Sequence, residues 1–218
     1  MLFADRADAG RQLAETLLAR MPALRQEQPL VLGIPRGGVI IGREVARALG
    51  APLDVIVARK LGAPGHEELG IGAVAPDGTR VLDGEIVAAL GVSDAYIEKI
   101  TRLERAELDR RMRRFRGERP LPDLAGRAVV LADDGLATGV TARAALASVR
   151  RAHPAALVFA APVCSEDGCR ALTADGYTVV CVATPVEFRG VGEWYADFEQ
   201  VSDDTVVAVL ERAAAGSA

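Results

Sequence analysis

The chain has 218 residues, of which 50% are hydrophobic and 4% aromatic, and its formal net charge is −4. That length suits one α/β domain carrying a modest insertion, and a composition rich in Ala and Val favours helices packed on a parallel sheet over an aromatic-rich β-sandwich. The negative balance gives no global attraction to nucleic acid or an anionic membrane, no apolar run reaches the ~18 residues needed to cross a bilayer, and Asp5, Arg6 and Asp8 make the N-terminus unlike a signal peptide.

In chain order, Ala9, Leu13, Leu17 and Leu18 share one face of an N-terminal amphipathic helix over Asp8–Leu18. Five apolar runs of strand length follow, at Leu30–Ile34, Val55–Ala58, Ala128–Leu131, Leu157–Pro162 and Thr178–Ala183. Helical patterns at Val39–Leu49, Val140–Arg151 and Glu166–Ala174 alternate with them, which predicts a doubly wound parallel sheet of strand order 2-1-3-4-5. The interval 59–127 is too long for a simple crossover. It is expected to be an insertion within a single domain spanning 1–218, with a glycine-rich lid (Leu61–Gly72), a hairpin around Pro76-Asp77-Gly78 and a long helix from Ser93 to Arg116. Within Lys99–Arg119 stand nine basic and four acidic residues beside an apolar face, which suggests packing on protein, a homodimer being one arrangement, with nucleic acid the minor reading. Cys164, Cys169 and Cys181 are odd in number and lack paired metal spacing, so a reduced, cytoplasmic protein is expected. Residues 185–201 follow the last strand and hold four of the nine aromatics, as a hood over a site would.

In such a sheet, ligands bind beyond the carboxyl ends of the strands, where the strand order reverses. Two unusual loops fall there. Gly33-Ile34-Pro35-Arg36-Gly37-Gly38 leaves the first strand and enters a helix, with glycines that allow close backbone approach and an arginine that adds a fixed donor fork. The run Val129–Ala132 ends in Asp133-Asp134, and Gly135-Leu136-Ala137-Thr138-Gly139-Val140-Thr141 then opens a helix. Vicinal carboxylates can hold a cis-diol, while free N–H groups and hydroxyls at a helix N-terminus hold a phosphate. A sugar phosphate satisfies both. Neither a Gly-Lys-Ser/Thr phosphate loop nor a G-x-G-x-x-G after a strand is present, which disfavours a nucleotide hydrolase or a dehydrogenase.

The order apolar strand, Asp-Asp, x-x-Ala-Thr-Gly-x-Thr resembles the phosphoribosyl-pyrophosphate (PRPP) motif of the type I phosphoribosyltransferases, and the chain is most similar to their uncharacterised bacterial group. The resemblance covers about Leu30–Val201 and implies a Mg²⁺-dependent pentosyl glycosyltransferase of nucleotide metabolism. It would transfer 5-phosphoribosyl from PRPP to a nitrogenous base and release pyrophosphate. It further implies that Asp133 and Asp134 hold the ribose hydroxyls and take part in metal binding, and that Gly135–Thr141 hold the 5′-phosphate. Arg36, Gly37, Gly38 and Lys60 would face the pyrophosphate, with Arg36 and Lys60 neutralising it as it leaves. Phe188 and Asp197 would meet an acceptor that remains unidentified. Ala137 stands where the hypoxanthine-guanine enzymes place an aspartate, so a 6-oxopurine is disfavoured. The rival is a regulator that binds PRPP or a nucleotide without chemistry.

Overall fold

The computed structural model describes residues 2–216. A five-stranded parallel sheet forms the centre, from β1 (Leu30–Gly33), β2 (Leu53–Val55), β6 (Ala128–Ala132), β7 (Ala156–Val163) and β8 (Thr178–Ala183) in the order β2-β1-β6-β7-β8. This is the predicted 2-1-3-4-5 arrangement. Val31 pairs with both Leu53 and Val130, and Gly33 with Ala132, so the C-terminal ends of β1 and β6 lie side by side.

Both faces of the sheet are covered, which is why its strands are apolar throughout and do not alternate. Val31, Val130, Ala132, Val158 and Ala160 point to one face, against Leu13 and Leu17 of α1 (Arg6–Arg20) and Ile41 and Val45 of α2 (Gly37–Leu49). Leu30, Leu32, Val129, Leu131 and Phe159 point to the other, against Leu146 and Val149 of α5 (Val140–Arg151) and Leu172 of α6 (Glu166–Ala174). Each such fully buried Leu, Val or Phe contributes about 1.5–3 kcal/mol relative to exposure. Asp5 caps α1 by accepting from the Asp8 N–H, and α2 ends at Gly50, whose φ of 65° is the left-handed conformation that closes a helix cheaply.

The second strand ends at Val55, earlier than the sequence suggests. The Ile56 N–H still donates to the Gly33 carbonyl of β1, and Ile56 and Val57 are buried beyond the strand's end. Arg59 and Lys60 therefore do not end β2; they begin β3 (Arg59–Ala63), which pairs with β4 (His66–Val74) and, through it, with β5 (Arg80–Leu82) in a separate antiparallel sheet. The glycine-rich segment expected as a lid forms the bulged β3–β4 hairpin, and the turn at Pro76-Asp77-Gly78 joins β4 to β5. Short helix α3 (Gly84–Ala89) leads to α4 (Asp94–Arg116), capped by Ser93.

The basic helix is held on protein. Leu108 and Phe115 of α4 pack with Val206, Val209 and Leu210 of α7 (Asp203–Ala214). Four of its eight cations are engaged as well: Arg110 and Arg111 with Glu107, Arg114 with Asp203 and Asp204, and the buried Arg116 with Asp54. Among the described residues, no helix is long and apolar enough to cross a membrane. The expectation of reduced cysteines is corrected: Cys164 and Cys181 are joined in a disulfide, because β7, α6 and β8 converge there in a way that spacing along the chain does not reveal.

Candidate active site

The sheet delivers Asp133 and Asp134 to the edge of a cleft of about 530 Å³ between the ends of β1 and β6. Arg36, Gly37, Thr141, Val191 and Phe198 also line it. Its continuation, of about 170 Å³, is walled by Gly135–Ala142. Thus the two loops singled out in the sequence form one site.

Backbone approach explains both glycines of the first loop. A Cβ on Gly37 would collide with Asp134 Oδ2, and one on Gly38 would lie 2.5 Å from the Ala132 carbonyl oxygen. Their first use is to let the start of α2 close against the acid pair. Arg36 lines the cleft and lies 3.7 Å from Asp203, at the start of α7.

Both carboxylates are held above the ordinary range. Burial is the main cause for Asp133, followed by the negative charge of Asp134; for Asp134 it is burial again, partly offset by Arg6. The Asp134 N–H donates to Asp133 Oδ1 and the Asp133 N–H to the Ala160 carbonyl, which fixes the turn. The Tyr195 hydroxyl donates to the Asp134 carbonyl at 2.6 Å, and burial raises its pKa so that it remains a donor. Two adjacent, partly buried carboxylates, of which among the described residues only Asp134 is paired with a cation, Arg6, are a hard-oxygen donor set, which fits a Mg²⁺-type cation.

Gly139 enters α5 at φ 75°, and no side chain caps that end. The first N–H groups of a 12-residue helix therefore face the cradle together with the Thr138 and Thr141 segment, which is the arrangement that favours a phosphate. Leu136, by contrast, is buried and serves as the loop's anchor: its N–H donates to the Val163 carbonyl and its carbonyl accepts from the Ser165 N–H.

Other predicted residues lie elsewhere. Lys60 donates from Nζ to the Glu68 carbonyl and carboxylate across the hairpin, and it is not among the residues lining the cleft. Phe188 packs against the apolar layer shared with α1, and the Asp197 carboxylate accepts from the Glu199 N–H beside a different depression. The ring that does line the cleft is Phe198, with Val191 near it.

Arg6 was not anticipated. It enters from α1 and donates from Nε to Asp134 Oδ2 at 2.7 Å and from Nη1 to the Glu199 carbonyl, while its guanidinium carbon sits 3.8 Å from the Phe198 ring centre. The N-terminal arm and the segment after β8 build this wall jointly, since Phe3 and Tyr195 form a parallel bridge and their rings lie 5.3 Å apart. An arginine in the first turn of an amphipathic helix carries no local sign of that task.

Comparison with known proteins agrees with the fold and the motif. Residues 4–204 match the model of the phosphoribosyl transferase domain family. Two Mycobacterium tuberculosis proteins, of strains CDC 1551 and H37Rv, carry a provisional phosphoribosyl transferase name and are 47% identical over 213 residues. The match takes in 97% of this chain and 47% of theirs, so the chain spans about half the length of these relatives. The crystal structure of TT1426 from Thermus thermophilus superposes with a TM-score of 0.81 at 43% identity, over 96% of this chain and 98% of that one. A Neisseria gonorrhoeae protein solved with bound ppGpp shares the fold at 12% identity and TM-score 0.51, over 97% of this chain and 98% of its own.

Proposed function

Since the chain belongs to the phosphoribosyl transferase domain family, we propose that it transfers 5-phosphoribosyl from PRPP to a nitrogen nucleophile, and that the acid-pair cleft is where this happens. The observation that carries the reading is the adjacency of Asp133-Asp134 and the uncapped start of α5 within one cleft. A diol and a phosphate on one sugar would span the two.

In this reading the Asp133 and Asp134 carboxylates accept from the ribose 2′- and 3′-hydroxyls. The N–H groups of Ala137–Thr141, with the Thr138 and Thr141 hydroxyls, donate to the 5′-phosphate. Gly37 and Gly38 let the first loop approach the pyrophosphate, and Arg36 supplies positive charge there. As the C1′–O bond breaks, pyrophosphate leaves with the bonding pair. The acceptor nitrogen forms the new C1′–N bond and loses its proton to solvent. The acids would also hold Mg²⁺, which when bound supplies charge against pyrophosphate and ribose oxygens. The chain's own contribution is positioning and preorganised charge. Phe198 offers the acceptor a ring and Val191 an apolar contact, taking the place first assigned to Phe188 and Asp197.

One observation favours the non-catalytic regulator. Lys60, expected to neutralise the leaving group, is engaged with Glu68. Pyrophosphate release from PRPP with a panel of bases separates the two: release dependent on one base supports the transferase, and tight PRPP binding with no release under any base supports the regulator. For the site itself, PRPP titrated calorimetrically with Mg²⁺ should bind the wild type. Asp133→Ala and Asp134→Ala should each cost about 1.5–3 kcal/mol, or roughly 10- to 150-fold in affinity. Equal affinities would remove the sugar-phosphate reading.

A further inference from the structure

The three cysteines converge behind the phosphate cradle. Cys164 follows β7, Cys169 lies on α6 and Cys181 on β8, and their sulfurs all fall within 4.8 Å of one another. Cys164 and Cys181 are joined, and both are buried, at 0% and 6% exposure. Cys169 is free and half-exposed, with its Sγ 3.7 Å from that of Cys181. A soluble thiol or disulfide therefore meets Cys169 first. Burial pushes the Cys169 thiol up, which keeps exchange slow, because the thiolate is the attacking species.

The bonded pair is tied directly to the loop that walls the cradle. Cys164 forms a bridge with Leu136. On either side of it, the Val163 carbonyl accepts from the Leu136 N–H, the Ser165 N–H donates to the Leu136 carbonyl, and the Ser165 hydroxyl donates to the Ala137 carbonyl at 2.6 Å. The Cys164–Cys181 bond fastens this anchor to β8.

We propose that the three cysteines form a thiol–disulfide relay, with Cys169 as its entry point, whose final Cys164–Cys181 bond stiffens the Gly135–Thr141 loop. The steps balance with a low-molecular-weight disulfide as oxidant. The Cys169 thiolate attacks it, forming a mixed disulfide and releasing one small thiolate. The Cys181 thiolate then attacks Cys169 Sγ, forming the Cys169–Cys181 bond and releasing the second. Finally the Cys164 thiolate attacks Cys181 Sγ, and Cys169 leaves as a thiolate. Two protein thiols are oxidised, the small disulfide is reduced to two thiols, and the protons lost pass to those thiols through solvent.

The test uses the whole chain, reduced and then exposed to oxidised glutathione, with differential alkylation and non-reducing peptide mapping over time. The wild type should end in the 164–181 bond after passing through glutathionylated Cys169. Cys169→Ala should reach the same bond at least about tenfold more slowly. Amide exchange over residues 135–141 should be about fivefold slower in the oxidised wild type than in the reduced, the low end of typical coupling between sites. That comparison needs no variant and no ligand, so it stands apart from the fate of the PRPP reading. An unchanged oxidation rate in Cys169→Ala, or equal loop exchange in both states, would overturn the relay. So would stoichiometric zinc holding all three sulfurs unreactive in the purified protein.

Discussion

Replacing Arg6 by methionine keeps most of the aliphatic stem and removes the guanidinium. The loss has three parts. The donation from Nε to Asp134 Oδ2, between side chains only 11% and 19% exposed, is a charge-assisted bond of about 1.5–3 kcal/mol. The donation from Nη1 to the Glu199 carbonyl is more exposed and adds up to about 1 kcal/mol. Stacking on Phe198 at 3.8 Å adds about 0.5–2 kcal/mol. These do not add fully, and breaking one side of a buried pair costs about 3–5 kcal/mol. The structure therefore predicts a loss of about 3 kcal/mol by urea unfolding at pH 7, or about 6–12 °C in Tm for a chain of this size.

Two further arms isolate the cause. Arg6→Met combined with Asp134→Asn should lose less than the sum of the single changes, by about 1.5–3 kcal/mol, because neither partner is then left charged and alone. The pH dependence has a definite sign. Burial already holds Asp134 above the ordinary carboxylate range, and Arg6 opposes that. Without Arg6 the acid rises further, so acidification neutralises it and removes the penalty. The gap between variant and wild type should narrow as pH falls. A gap under about 0.5 kcal/mol at pH 7, or one independent of pH, would refute a compensating task for Arg6.

Gly38→Ala should destabilise by about 1–3 kcal/mol or more, since its Cβ would meet the Ala132 carbonyl and the Asp133 Cα, which are backbone and cannot turn aside. Gly37→Ala should cost less stability but more PRPP affinity, because the atoms in its way belong to the Asp134 and Arg6 side chains; unfolding curves and calorimetry read the two effects, and the reverse ranking would contradict the geometry. Asp133→Asn should raise the neutral-pH stability of the free protein while weakening PRPP binding by no more than the roughly 10- to 150-fold expected of Asp133→Ala. The folded acid titrates above its unfolded value, so wild-type stability falls as pH rises through that window, and the variant should lose that slope. Among acceptors under saturating PRPP, hypoxanthine and guanine should be poor, and either emerging as the best substrate would show that Ala137 carries no such information.

The acid-pair motif was legible because its chemistry is contiguous: one strand, two acids, one loop and one helix start lie within thirteen residues. Strand order and the helices at 140–151 and 166–174 were legible for a related reason, since burial on two faces leaves continuous apolar runs between amphipathic ones. The misreadings share a cause. Residues 56–58 are apolar past the end of β2, which runs Leu53–Val55, so apolarity placed the strand too late and hid that Lys60 belongs to β3. Gly62 and Gly72 also have a packing role that the sequence did not show, since a Cβ on either would strike backbone, at Glu67 and at the Val81 carbonyl. They allow the antiparallel strands of the hairpin sheet to approach. Arg6 and Asp134 are 128 positions apart, and no local pattern joins them.

The distribution of charge around the acids shows why the site draws on both ends of the chain. A sheet edge that presents two carboxylates side by side is unfavourable for folding, as their raised pKa values express. The strand and loop themselves relieve only part of this, through the N–H of Asp134. The remaining compensation comes from a cation that stays out of the phosphate cradle. Arg6 meets that condition: it lines the acid-pair cleft beside Asp134, and the lining of the phosphate cradle, from Gly135 to Ala142, does not include it. Holding Arg6 there requires the arm before α1 to be fixed, and the Phe3–Tyr195 bridge fixes it. Tyr195 then joins the two tasks, since its ring packs on Phe3 and its hydroxyl donates to the Asp134 carbonyl. The N-terminal arm and the segment after β8 are thus part of the electrostatics of the acid pair, and changes to either should be felt at Asp134 before they are felt at the phosphate loop.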